Sequence, residues 1–264
     1  MPRQVLSISS QVAYGPVGNS ASVPALQAAG FSVSQIPTII LSNHPGLGKP
    51  SGVKLPATEL EAILKSLEAL GVLDTCVGVM TGYFATADQI KVTASFIHKM
   101  KDKSPSLYVL VDPVLGDDGS LYVSNEVANA IRDDLLPLAS CITPNCFELG
   151  WLSGKPVSTK AEVLLAAATL PHKEILATSI RLDADNLATL VIMGSEYAET
   201  ISPVKLSVPH GTGDFLAGLY FAARLNGFES RETLTLSTDI LDSAISRSLG
   251  QPCLDIIGAL HNPS

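Results

Sequence analysis

Short apolar runs of four to nine residues, rich in β-branched side chains, alternate along the chain with longer stretches in which apolar positions recur every three or four residues. The runs at 4–9 ("QVLSIS"), 33–41 ("VSQIPTIIL"), 75–80 ("TCVGVM"), 107–112 ("LYVLVD"), 140–143 ("SCIT"), 174–179 ("EILATS") and 188–193 ("ATLVIM") predict strands. Most are apolar almost throughout, which suits strands covered on both faces. The helical pattern predicts helices at 18–30, 57–71, 86–101, 126–139, 160–170, 210–227 and 231–250. Gly30 and Gly71 close the first two, and His98, Lys99 and Lys101 favour the C-terminus of the third.

This alternation implies one α/β domain over 1–264, with helices on both faces of a mostly parallel sheet. The run at 188–193 follows 174–179 too closely for a helical crossover, and 198–206 ("AETISPVKL") reads as a further strand, so an antiparallel edge is expected. Residues 42–52 ("SNHPGLGKPSG") carry Pro or Gly at five of eleven positions and read as an irregular lid or binding loop.

Composition narrows the function classes. The chain of 264 residues is 46% hydrophobic and 16% charged, with a formal net charge of −8, which argues against a general nucleic-acid or membrane-surface binder. "MPRQVLSISS" lacks the apolar core of a signal peptide, and no run is long enough to span a bilayer, so a cytoplasmic protein is expected. Cys76, Cys141, Cys146 and Cys253 form no C-x-x-C pair, and the histidines lack the i, i+4 spacing of a helical zinc pair.

Polar residues fall repeatedly at predicted strand ends, where ligands bind in open parallel sheets. Ser9 and Ser10 end the first strand, and Ser42, Asn43 and His44 follow the second. Thr81, Gly82 and Tyr83 follow the third, Asp112 ends the fourth, Asn145 and Glu148 follow the fifth, and Thr178 and Ser179 end the sixth. Each alone reads equally as a turn or helix cap. Three acids, Asp112, Glu148 and Asp214, are carried toward one edge by separate units, where they would repel unless a cation or proton relieved them, and Mg²⁺ fits an oxygen donor set. In "GTGD", Gly211, Thr212 and Gly213 offer backbone N–H groups to an anion at a helix N-terminus, with Asp214 beside them as a proton acceptor or simply a capping acid. The chain lacks G-x-x-x-x-G-K-[ST], and 15–30 is not G-x-G-x-x-G, so Walker-type and dinucleotide sites are poorly supported.

The ordered set "SSQVAYGPVGNSA", "SNHPGLGKPSG", "TGY", "DPVLGDDGSLYV", "TPNCFEL" and "GTGD" resembles the pyridoxal kinases, a branch of the ribokinase-like superfamily, over about residues 4–225. The resemblance implies a three-layer α/β/α fold and ATP-dependent phosphorylation of the 5′-hydroxymethyl group of pyridoxal, with pyridoxine and pyridoxamine as further substrates. It implies Asp214 as catalytic base and Gly211, Thr212 and Gly213 as the anion hole. It assigns Asp112 and Glu148 to the ATP phosphates and, partly through water, to Mg²⁺, and Asp117 and Thr143 to a monovalent cation such as K⁺. Thr178, Ser179 and Tyr122 fall on the nucleotide side; Ser10, Val17, His44, Pro45, Gly46 and Tyr83 fall on the vitamin side. A homodimer is a further family expectation. Many relatives carry Thr and an aromatic residue where Pro45 and Leu47 stand, which alters the lid. A hydroxymethylpyrimidine kinase and a non-catalytic B6-vitamer binding protein are the competing readings; the former often has Cys at the position of Asp214.

Overall fold

The computed structural model describes residues 3–117, 119–171 and 173–261. Its strands are β1 (Gln4–Tyr14), β2 (Ser32–Asn43), β3 (Gly52–Lys54), β4 (Cys76–Thr81), β5 (Tyr108–Val111), β6 (Gly116–Asp117), β7 (Ser120–Leu121), β8 (Cys141–Ile142), β9 (Glu174–Arg181), β10 (Asn186–Met193) and β11 (Glu196–Pro203). Its helices are α1 (Asn19–Ala28), α2 (Ala57–Ala69), α3 (Ala87–Lys103), α4 (Asn125–Ala130), α5 (Cys146–Ser153), α6 (Lys160–Ala167), α7 (Thr212–Leu225), α8 (Ser230–Ser248) and α9 (Ile256–His261).

Nine strands form one sheet in the order β11, β10, β9, β8, β5, β4, β1, β2, β3. The central strands from β9 to β2 are parallel. Antiparallel pairs close both ends, β9 with β10 and β10 with β11 at one, β2 with β3 at the other. The expected antiparallel edge is therefore present, together with a second one that the sequence pattern did not disclose. β6 and β7 form a separate two-residue hairpin.

Alternation along the strands divides the core. Leu6, Ile8, Val109 and Val111 face the side packed by α2 to α6, whereas Val5 and Leu110 face the side packed by α7. Leu6, Ile8, Phe215 and Phe221 are fully buried, each such side chain contributing about 1.5–3 kcal/mol. The N-terminal half of α7 lies on α1, where Phe215 and Leu219 meet Ala21 and Ala25. The catalytic-loop candidate is thus the start of a helix buried along much of its length.

Several expectations need correction. β1 runs well past its predicted end, to Tyr14, and β2 runs just far enough past its own that Ser42 and Asn43 lie in a strand and not in a loop. Residues 44–51 do connect β2 to β3 as a loop, shorter than expected at both ends and ordered in part by a 3-10 turn at Pro45–Leu47. The helix expected over 126–139 ends at Ala130 and continues as a π turn and a 3-10 turn containing Pro137, whose ring and missing N–H do not fit a helix interior. α5 and α9 went unrecognised because they are short and give weak periodicity. No helix among the described residues is long and apolar enough to cross a membrane.

Candidate active site

The carboxyl ends of β5, β8 and β9 and the N-terminus of α7 enclose a cleft of about 190 Å³. Asp112, Asp117, Tyr122, Thr143, Glu148, Thr178, Ser179, Thr212, Gly213 and Asp214 all line it, so residues predicted from separate βα units meet in one place. Val114 and Ser179, also in the lining, adopt positive φ values of 27° and 58°. Non-glycine residues rarely do so, and each such conformation costs on the order of 1–3 kcal/mol.

Glu148 explains how the first of these strained turns is held. Its Oε1 accepts the N–H of Leu115 at 2.8 Å and that of Gly116 at 3.5 Å, and its Oε2 accepts the N–H of Asn145 at 2.9 Å. The Asn145 side chain returns a bond from Glu148 N at 2.9 Å, completing a capping box at the start of α5. Asn145 Nδ2 also donates to the Gly116 carbonyl at 2.9 Å. The acid predicted as a metal-site residue is therefore also the clamp that fastens the turn after β5 to α5. Burial pushes its carboxyl up to about 7, opposed by the N–H groups of Asn145, Leu115 and Gly116.

Asp112 is buried, and Thr143 Oγ1 donates to its Oδ1 at 2.9 Å. Burial, then repulsion from Glu148 and Asp214, holds its carboxyl well above the usual carboxylate range. Burial also raises Asp214 to about 6, against stabilisation by the backbone N–H groups of Gly18 and Asp214 itself. The expected mutual repulsion of these acids is present. Among the described residues, however, no three His, Cys, Asp or Glu side chains gather closely enough to hold a metal ion by themselves. A divalent ion would need phosphate oxygens and water to complete its shell.

Gly211 is the N-cap of α7 with φ 97° and, as a glycine, offers no side-chain cap. A Cβ there would overlap the Pro16 carbonyl, whereas a Cβ on Gly213 would meet nothing within 4 Å. The first helical bond runs from Phe215 N to the Gly211 carbonyl at 2.9 Å, so the N–H groups before it are outside the helix ladder. Here the helix dipole and open amides favour an anion, and the space above Gly213 is where it would sit.

Of the residues that the resemblance assigns to the vitamin, Ser10 is buried within β1, Val17 is buried just before α1, and Tyr83 is partly buried after β4. Ser9 holds that turn, accepting Tyr83 N–H at 3.1 Å, while Thr38 Oγ1 donates to the Tyr83 carbonyl at 2.7 Å. His44 caps the 3-10 turn, its Nδ1 accepting Gly46 N–H at 3.1 Å, and Leu47 packs on Gly15. A second cavity of about 240 Å³ shares Thr178, Ser179, Thr212 and Gly213 with the cleft and extends between β10, β11, α7 and α8. Leu187, Val208, Leu241 and Ile245 give it apolar walls, and Lys205 reaches Asp242 Oδ1 at 2.8 Å. These residues escaped sequence reasoning: no motif marks them, and the chain folds them together from distant segments.

A family model described as phosphomethylpyrimidine kinase matches residues 22–253. The pyridoxal kinase of Deinococcus radiodurans is 34% identical over 254 residues, covering 91% of this chain and 85% of the relative. Among solved structures, the pyridoxal kinase of Entamoeba histolytica superposes with a TM-score of 0.94 at 26% identity, covering 100% of this chain and 96% of that one. Pyridoxal kinase from Leishmania donovani in complex with ADP and pyridoxine gives 0.92 at 28% identity, with 99% and 96% covered. The shared ribokinase-like fold, the sequence identity and the convergence of the predicted acids with the glycine loop lead to one conclusion: the chain belongs to the pyridoxal kinases, within the group that the phosphomethylpyrimidine kinase model describes.

Proposed function

We propose that this protein transfers the γ-phosphoryl group of ATP to the 5′-hydroxymethyl group of pyridoxal, and of pyridoxine and pyridoxamine. The observation that carries the reading is the placement of Asp214 in the first turn of α7, beside open backbone amides and facing the cleft that holds Asp112 and Glu148. Asp214 accepts the hydroxyl proton as the oxygen attacks phosphorus; a carboxyl near 6 is ionised at neutral pH yet basic enough to take that proton. The Thr212 and Gly213 amides, with the helix dipole, stabilise charge on the transferring group. Thr178, Ser179 and Tyr122 line the phosphate side, and the apolar cavity beyond them suits the adenine ring.

Asp112 and Glu148 fit Mg²⁺ by the chemistry of their donors: buried oxygens whose repulsion a divalent cation relieves. Both Glu148 oxygens already accept backbone N–H groups, which favours contact through water. When bound, Mg²⁺ neutralises phosphate charge. The reading assigns Asp117 and Thr143 to a monovalent cation, and Ser10, Val17, His44, Pro45, Gly46 and Tyr83 to the vitamin. It also takes the enzyme as a cytoplasmic homodimer; the exposed Ile40 and Val53, paired across β2 and β3, support a surface for a second copy. Incubation with ATP, Mg²⁺ and each B6 vitamer should give the 5′-phosphate and ADP. Phosphate appearing on hydroxymethylpyrimidine and on no vitamer would replace this reading with its neighbour in the family; vitamer binding without turnover would make the protein a carrier.

A further inference from the structure

His210 immediately precedes the glycine loop and belongs to none of the candidate sets above. Its imidazole lies against that of His44, with ring centroids 4.1 Å apart and planes tilted by 36°. Gly46 reaches the same ring, since a Cβ on it would clash with His210 Nε2. The bond from Gly46 N to His44 Nδ1 fixes the ring that His44 presents to His210. Across the turn, His44 N donates to the Tyr14 carbonyl at 3.3 Å, and a Cβ on Gly15 would stand 2.9 Å from Leu47 Cδ1. The 44–47 turn is therefore gripped by the end of β1 on one side and by the residue before the glycine loop on the other. Because Gly211 backs onto Pro16, these three loops also touch one another beside Asp214.

We infer that His210 is a positioning residue: through the His44 ring and Gly46 it holds the 44–47 turn over the vitamer site, and so governs affinity for the hydroxymethyl substrate and not the rate of phosphoryl transfer. The inference rests on the B6-kinase reading. A contact of this kind links the lid to the catalytic loop without either imidazole touching the reacting atoms. The lack of a side chain at Gly46 is what lets the second imidazole approach.

His210 is exposed, so truncating it leaves the core intact. In His210→Ala, the pyridoxal KM is expected to rise about three- to tenfold, the size of one ring contact. Its kcat and ATP KM should stay within about twofold. His210→Phe, which keeps a ring against His44, should restore the vitamer KM. In a double-mutant cycle with His44→Ala the two losses should be less than additive. Amide exchange at Gly46 and Leu47 in the substrate-free protein should accelerate in His210→Ala. Unchanged vitamer KM and unchanged exchange, equal rises in both KM values, or a loss confined to kcat would each overturn the inference. Should the parent protein phosphorylate no vitamer, the functional reading fails, and the exchange comparison decides the lid contact by itself.

Discussion

Gly211 lies directly against the carbonyl oxygen of Pro16, in a left-handed conformation with φ 97°. Two glycines in one short loop are thereby given different tasks. Gly211 lets the loop pass the β1–α1 connection, whereas Gly213 leaves space open toward the cleft. Gly211→Ala should lower stability by at least about 1–2 kcal/mol, from the conformation alone, with the clash at Pro16 adding to it. Gly213→Ala should keep its melting temperature and raise the ATP KM roughly tenfold or more by filling the anion cradle. A thermal melt and a nucleotide titration on each variant separate the two effects; a Gly213 variant with parental ATP kinetics would remove the phosphate from that position.

Asp214→Asn should reduce kcat by about 10² to 10⁴ while nucleotide binding persists, because only the proton acceptor is lost. Parental turnover in this variant would leave Asp214 as a helix-terminus acid and nothing more.

The pH dependence follows from the same carboxyls. With Asp214 near 6, kcat/KM should rise through about pH 6 and level off above it, and Asp214→Asn should lose that limb. Stability runs the other way. Asp112, Glu148 and Asp214 all bind protons more tightly folded than unfolded, where carboxyls titrate at about 4. Their contribution is therefore fully present below about pH 4 and lost as pH rises through their folded values, near 6 for Asp214 and 7 for Glu148. Melting curves at pH 5 and pH 8 should differ less for Asp214→Asn than for the parent; an identical difference would remove Asp214 from this linkage.

Glu148→Gln tests clamp against metal contact. An amide keeps one acceptor and turns an NH₂ toward backbone donors, so the cap of α5 and the turn at Val114 both weaken. A loss of about 1–3 kcal/mol in denaturant unfolding is expected. Unchanged stability with a raised Mg²⁺ requirement would make the residue a metal contact and not a clamp.

Pro45 opens the 3-10 turn at the lid, where its fixed φ suits the first helical position. Pro45→Thr, which exchanges the ring for a hydroxyl, should alter the vitamer KM more than kcat if the proposed lid role holds. Steady-state rates with pyridoxal check this, and a change confined to kcat would contradict a binding role for the lid.

The sequence by itself determined the layered α/β plan, the parallel centre of the sheet and the acids at its carboxyl edge. Those features follow from local rules: apolar periodicity sets the elements, and parallel pairing of strands joined by helices puts successive strand ends on one side. "GTGD" was legible for the same reason, as glycines and an acid at the start of a strongly apolar helix. Tertiary structure decided what those residues spend their oxygens on. Glu148 is legible as an acid after a strand, but its bonds to Leu115 and Gly116 depend on how α5 docks beside the turn after β5. The apolar cavity beside Lys205 and Asp242 joins β10, β11, α7 and α8, and no short-range pattern marks such a junction. The His44–His210 contact likewise exists only because Gly46 and Gly211 let three loops close on one another, a matter of backbone approach between segments far apart in the chain.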